Sequence, residues 1–285
     1  YEISACLVGS EMCIRDSMTA GRERFGKKRA QVRGKVCTDE FDWTGENRTY
    51  IPLKQMIVYQ CHVRGFTKHE SSKVKHPGTF SGVTEKIPYL KELGINTLFM
   101  MPVYDFNEQM TDETGSLLNK INYWGYTRDA FYFSPKASYG SGNKPVVTEF
   151  KEMVCSLHSQ GMNFILDMYF EGKSPEFITR CLRYYAQEYH VDGFHVTSDK
   201  MDLEWLRQDP VLAYCKIFGD GYQADSQGMY MEMNDGFMIN ARRFLKSDEG
   251  QTEGFYHYFK QQRQDGENLH YITPVSYTHL TLPTT

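Results

Sequence analysis

An α/β fold is predicted for this 285-residue chain, a partial (β/α)8 TIM barrel carrying about strands 1 to 6. Three observations predict it. Short apolar, β-branched runs alternate with amphipathic helical stretches. The stretches between the runs are long enough for crossover connections, which makes the strands parallel. The text after the first run, His62-Val-Arg-Gly-Phe-Thr67, lacks the glycine-rich phosphate loop that a doubly wound sheet places there. The doubly wound sheet stays open as the alternative on pattern alone.

The elements follow in order. Gln55 to Val63 (QMIVYQCHV) reads as a first buried strand. Ser81 to Gly94 carries Val83, Ile87, Leu90 and Leu93 on one helical face, with Gly94 placed as a C-terminal cap and Pro88 in its middle. Asn96 to Val103 is a second strand. Asp105 to Asn143 is a loop-rich insert full of Tyr, Phe and Gly. It exceeds the ~12 to 15 residues usual for structureless loops, so a functional role is expected of it. Val147 to Gly161 sets Phe150, Met153, Val154 and Leu157 at helical spacing. Asn163 to Tyr169 is a third strand. Ser174-Pro175-Glu176 combines an N-cap, an N1 proline and an acidic first turn, opening a helix through about Tyr189. Asp192 to Val196 is a fourth strand and Lys216 to Gly219 a fifth. A short helix over Leu203 to Ala213, interrupted by Pro210, lies between them, and Leu269 to Thr273 starts a sixth strand.

Composition narrows the function classes. Lys+Arg total 32 against 36 Asp+Glu, for a net charge of -4, which argues against a nucleic-acid partner. No apolar stretch reaches the ~18 to 20 residues of a membrane span, so no membrane partner is expected. Seven cysteines without CxxC spacing give neither a zinc site nor a disulfide framework. No metal and no cofactor is expected. Together with the missing secretory leader, the odd cysteine count favours a cytoplasmic location.

Both ends read as foreign to the fold. Residues 1–17 (YEISACLVGSEMCIRDS) and 274–285 (PVSYTHLTLPTT) have no helical or strand periodicity and resemble translated sequencing-library adapters. The expected organisation is therefore a connector over 18–52 and a truncated barrel over 53–273. A barrel cut there leaves its outer strands as bare edges, and poor solubility is expected of it.

A barrel of this class takes ~250 residues and places its chemistry on the loops after the strands. Those loops hold Tyr59-Gln-Cys-His-Val-Arg-Gly-Phe-Thr67, Asn122-Tyr-Trp-Gly-Tyr126, Asn234-Asp-Gly-Phe237 and Arg242-Arg-Phe-Leu-Lys-Ser-Asp-Glu249, and the first helix holds Lys86 to Ile95. With these motifs the sequence resembles glycoside hydrolase family 13, the α-amylase superfamily, in its debranching branch of pullulanases, isoamylases and glycogen-debranching enzymes. The resemblance spans about Phe41 to Thr273. It implies an upstream β-sandwich module, from which 18–52 would be the linker, and an α-glucan of the glycogen, starch or pullulan kind as partner.

Retaining glycoside hydrolysis needs two carboxylates ~5 to 5.5 Å apart, a nucleophile and a general acid. The family pattern implies an Asp nucleophile closing a Gly-Phe-Arg-x-Asp stretch. Here the stretch is Gly193-Phe-His-Val-Thr197, so His195 stands for the arginine and uncharged Thr197 for the nucleophile. Asp199 would share the face of Thr197 if the strand continued. The general-acid position holds Asp220 in place of a glutamate, one methylene short, and ~1 Å of misplacement can cost on the order of 10²-fold. The strand-three pattern of an Asp followed five residues on by a sugar-binding His is met by Asp167 but not by Gly172. A third carboxylate is implied beyond Thr273. Catalytic inactivity is expected as written, with Tyr126, Trp124, Asp167 and His195 left as substrate-binding candidates. Each also has a structural reading: Asp167 as a turn cap, His195 as a core histidine, Asp220 as a turn former. An active α-1,6-glucosidase with reassigned residues and a non-catalytic glucan-binding homologue remain the alternatives.

Overall fold

The computed structural model describes residues 41–111, 117–128, 130–200, 206, 208–219, 230–260 and 267–270. Both adapter-like ends, the basic stretch 18–34, Cys6, Cys13, Cys37 and Asp220 lie outside the described residues. The chain forms two compact units, Tyr1–Cys215 and Lys216–Thr285.

In the first unit the strands are β1 (Val58–Cys61), β2 (Thr97–Met100), β3 (Tyr104–Phe106), β4 (Gln109–Thr111), β5 (Leu117–Ile121), β6 (Ala130–Pro135), β7 (Asn163–Tyr169) and β8 (Gly193–Thr197). The helices are α1 (Val63–Thr67), α2 (Phe80–Glu85), α3 (Ile87–Glu92), α4 (Val146–Ser159) and α5 (Pro175–Glu188). β1, β2, β7 and β8 pair in parallel in that order, with registers Val58↔Thr97, Thr97↔Asn163 and Ile165↔Gly193. A strand, a crossover and a parallel neighbour repeat as in a partial (β/α)8 barrel, in agreement with the predicted fold class.

Residues alternate across the pleat, so β7 offers Phe164, Leu166 and Met168 to one face and Ile165, Asp167 and Tyr169 to the other. Phe164 meets Phe150 of α4 at 5.8 Å between ring centroids, which identifies its face as the one covered by helices. Phe150 also touches Phe80, Tyr185 and Tyr189 at 4.9, 6.4 and 5.0 Å. Burial of a side chain this size stabilises by about 1.5 to 3 kcal/mol. The opposite face, with Asp167, is the barrel interior.

Three readings of the sequence are corrected. The helix expected over 81–94 is two helices, broken at Lys86 because Pro88 can neither donate to nor fit beneath the preceding turn. The predicted cap holds: Gly94 takes φ +77° and turns the chain into β2. The insert from Asp105 to Asn143 is not merely loop, since β3 pairs with β6 and β4 with β5, both antiparallel. Its anchor is buried Lys136, whose Nζ donates to the Phe106 carbonyl at 2.8 Å and faces Glu108 at 3.2 Å. The third correction lies in the second unit, described below.

Within the connector expected over 18–52, the described residues lie against the ends of β7 and β8 opposite to Asp167. Trp43 stacks on His190 at 3.8 Å. Glu46 bridges His158 at 2.5 Å and His190 at 2.6 Å, while Arg48 pairs with Asp192 at 3.0 Å. Asp192 also takes His158 Nε2 and the Phe164 amide, both at 2.8 Å. Burial opposes charge on Asp192, but His158, Arg48 and that amide outweigh it and hold the carboxyl below its usual range.

The second unit pairs β9 (Lys216–Phe218), β10 (Tyr230–Asn234) and β11 (Glu267–His270) in parallel. β10 is a strand that the pattern reading passed over, so the run near Leu269 is not the next strand after β9. Its helices, α6 (Asp235–Leu245) and α7 (Gln251–Lys260), pack through Phe237, Phe244, Phe255 and Phe259, with Phe244 stacked on Phe255 at 4.7 Å. Gly236 is required there, because a Cβ would lie 2.1 Å from the Tyr258 ring.

Candidate functional site

Asp167 and His195 are Cα partners on adjacent parallel strands, so their side chains leave the same face of the sheet. The barrel interior brings them together: His195 Nδ1 lies 2.9 Å from Asp167 Oδ1. Both are buried, at 2% and 7% exposure. A buried carboxylate is costly unless hydrogen-bonded, and the bond to His195 satisfies one of its oxygens. Tyr126 satisfies the other, donating its hydroxyl to Oδ2 at 2.5 Å.

Tyr126 reaches Asp167 from the loop after β5, 41 residues away in sequence. The loop is held by three bonds of defined direction. Asn122 Oδ1 accepts from the Gly125 amide at 3.0 Å, the Gly125 carbonyl accepts from Tyr104 Oη at 3.1 Å, and the Asn122 amide donates to Glu108. Gly125 takes φ +88°, and a Cβ there would sit 2.6 Å from the Phe106 ring and 2.9 Å from Pro102. Only glycine meets both conditions. Tyr126 remains 39% exposed, so part of its ring faces solvent at the strand ends. Trp124 is half-buried, edge-on to Tyr123 at 5.0 Å and to His62 at 5.5 Å, and thus sits as a buttress of the loop.

Beside this triad the rim is polar. Tyr169 presents its ring edge to Tyr126 at 5.9 Å and its hydroxyl to Glu171, which also pairs with Arg128. The Arg128 hydrogen bond first, then that of Tyr169, brings the Glu171 carboxyl down to about 2. Thr197, half-buried at the end of β8 and opposite Tyr169 in register, gives its carbonyl to the Phe170 amide at 2.8 Å. The strand ends at Thr197, so Asp199 does not continue its face. Asp199 is exposed and accepts from the Gly172 amide at 2.8 Å, which lowers its pKa.

Of the predicted site residues, the structure brings Tyr126, Asp167 and His195 into one hydrogen-bonded line and sets Trp124 behind it. Thr197 lies on the same face of β8, two residues from His195. Arg128, Tyr169 and Glu171 were not singled out in the sequence: Arg128 meets Glu171 across 43 residues, which leaves no local pattern, while Tyr169 and Glu171 stand two residues apart at the end of β7. Among the described residues no group of three or more His, Cys, Asp or Glu side chains is arranged to hold a metal ion. Nor is any helix among them long and apolar enough to cross a membrane.

A carboxylate, a histidine and an exposed tyrosine thus stand together at the strand ends of a partial (β/α)8 barrel. Residues 60–230 match the family model described as the catalytic domain of alpha amylase. The chain is 30% identical to isoamylase 1, chloroplastic, of Oryza sativa subsp. japonica, covering 75% of this chain and 38% of that protein. It is 26% identical to the glycogen debranching enzyme of Erwinia tasmaniensis, covering 85% of this chain and 47% of that one. Among solved structures, pullulanase type I from Bacillus subtilis str. 168 complexed with maltose superposes with a TM-score of 0.60 at 22% identity, covering 74% of this chain and 40% of that chain. The chain belongs to the α-amylase family, glycoside hydrolase family 13, in its debranching branch. It spans about 40% of the length of the first curated relatives it matches.

Proposed function

We propose that this chain is part of a debranching-type protein that binds α-glucan and does not hydrolyse it. One observation carries the reading: the half-exposed Tyr126 is held on Asp167, which His195 holds in turn, while the neighbouring strand-end position is the uncharged Thr197. Binding a pyranose needs an aromatic face and fixed polar groups, and these are assembled. Cleavage with retention needs a nucleophilic carboxylate close to a general acid, and a hydroxyl without an adjacent base does not supply it. Asp199, the nearest carboxylate in sequence, is occupied by the Gly172 amide and faces solvent, which speaks against the reassigned enzyme. The glucan class, of glycogen, starch or pullulan type, follows from the family. The free thiols of Cys61, Cys155 and Cys181 fit a reducing, cytoplasmic setting.

The test pairs two assays on the full chain. Migration in a native gel containing amylopectin is expected to be slowed, and Tyr126→Ala is expected to restore it. Reducing-sugar release from pullulan and glycogen is expected to stay at the blank. Release that Asp220→Ala abolishes would establish the active enzyme instead, and unchanged migration of the wild-type chain would remove the glucan-binding reading.

A further inference from the structure

The loop that carries Tyr126 rests on a buried histidine that the sugar site does not otherwise use. His62 follows β1 and is 4% exposed. Its Nδ1 accepts the Gly65 amide at 3.1 Å and so caps α1. An acceptor Nδ1 puts the proton of the neutral ring on Nε2, which then donates to Tyr139 Oη at 3.0 Å. Burial first, and the Arg64 charge next, bring the His62 pKa down to about 4, so the ring stays neutral. With both nitrogens committed, the ring cannot turn. Its faces and edge are then covered by the loop: Tyr123 lies 4.5 Å away and Trp124 5.5 Å, between ring centroids. Tyr139 is itself immobilised, fully buried and packed edge-on against Phe80 at 5.8 Å.

We infer that His62 is a positioning residue for glucan: clamped by Gly65 and Tyr139, it fixes Tyr123 and Trp124 and thereby sets Tyr126 against Asp167. The inference rests on the reading that Tyr126 meets glucan. Tyr104 holds the loop from one side, through the Gly125 carbonyl, and His62 from the other. A loop held on one side only keeps its fold and loses its aim. His62 does not touch the sugar and acts only through the loop.

His62→Asn and Tyr139→Phe test this in the full chain. Asparagine keeps an acceptor for the Gly65 amide but offers neither the ring nor the donor to Tyr139. Phenylalanine keeps the packing and removes only the hydroxyl. Each is expected to weaken retardation by amylopectin on the order of tenfold, about what the loss of one hydrogen bond that holds the loop costs. The double variant is expected to be no weaker than His62→Asn, because both act through one clamp. Amide hydrogen exchange is expected to quicken in the peptide spanning 122–126 and to stay unchanged in β7 and α4. A purely structural role would instead quicken exchange throughout the first unit, and that result would overturn the inference. Unchanged exchange at 122–126 in both variants would overturn it as well, whether or not the wild type binds glucan. If the wild-type chain is not retarded, the glucan-binding reading fails by itself and exchange alone judges the clamp. Should His62→Asn not fold, Tyr139→Phe, which leaves the helix cap intact, decides.

Discussion

Asp167 and His195 face each other across the β7–β8 pairing as Cα partners, with Oδ1 and Nδ1 2.9 Å apart inside the barrel. Where the family's pattern implies an arginine, this chain has a neutral-capable ring, and the carboxylate beside it shares itself between that ring and Tyr126.

Replacing Asp167 with Asn puts an amide NH₂ against one of two donors, the Tyr126 hydroxyl or the His195 N–H. Of the two hydrogen bonds that the carboxylate accepts, one is lost or has to reverse. Asp167→Asn is expected to lower the urea-unfolding free energy by about 1 to 3 kcal/mol and to abolish retardation by amylopectin. Asp199→Asn, on an exposed carboxylate, is expected to change neither.

Gly125→Ala tests the loop itself. An alanine at φ +88° is strained, and its Cβ would collide with the Phe106 ring and Pro102. Strain of this kind costs on the order of 1 to 3 kcal/mol. The measurable outcome is a lowered Tm with loss of glucan retardation, whereas Gly142→Ala, at φ +84° but in open space, is expected to lower Tm and leave retardation intact.

Acid lability is expected to centre on Asp192. Its folded pKa lies below the unfolded value, so its contribution is present above the unfolded pKa near 4 and is lost as pH falls through the folded one. Asp192→Asn is expected to remove about 1.5 to 3 kcal/mol at pH 7 and to flatten the stability profile below pH 4. Denaturant midpoints measured from pH 3 to pH 7 check both parts, and an unchanged acid limb would show that other carboxylates dominate.

Thiol reactivity is expected to follow burial. Burial raises Cys61 to about 12 and pushes Cys181 well above the ordinary thiol range. Cys155 is half-buried, and burial raises it too. Among these three, iodoacetamide at pH 8 is expected to label Cys155 first, with Cys61 and Cys181 modified only at the rate of unfolding. Peptide mass spectrometry over time reads the order directly.

Much of the fold is legible locally. The Asn163 to Tyr169 strand and the Ser174-Pro175-Glu176 helix start fall where their residues predict, because burial period and cap chemistry are properties of a few neighbouring side chains. The Ser174 hydroxyl accepts the Phe177 amide as its position requires. Tyr230 to Asn234 is the counter-case: five residues with one charged side chain among methionines give too short a pattern to separate strand from loop. The small sheets of the insert were equally hidden, since one strand of each antiparallel pair has only three residues and leaves no period to find.

The sequence by itself determined the parallel βα class, the place of the candidate binding residues after the strands, and the absence of charge at Thr197. Those follow from spacing, period and side-chain identity. Only the tertiary structure decided that Tyr126, Asp167 and His195 form one hydrogen-bonded line, that Asp199 turns away to Gly172, and that His62 stands behind the loop. Each of these joins residues from different strands or loops, and the register and crossover of the sheet, which no local run of residues encodes, set which side chains meet inside the barrel.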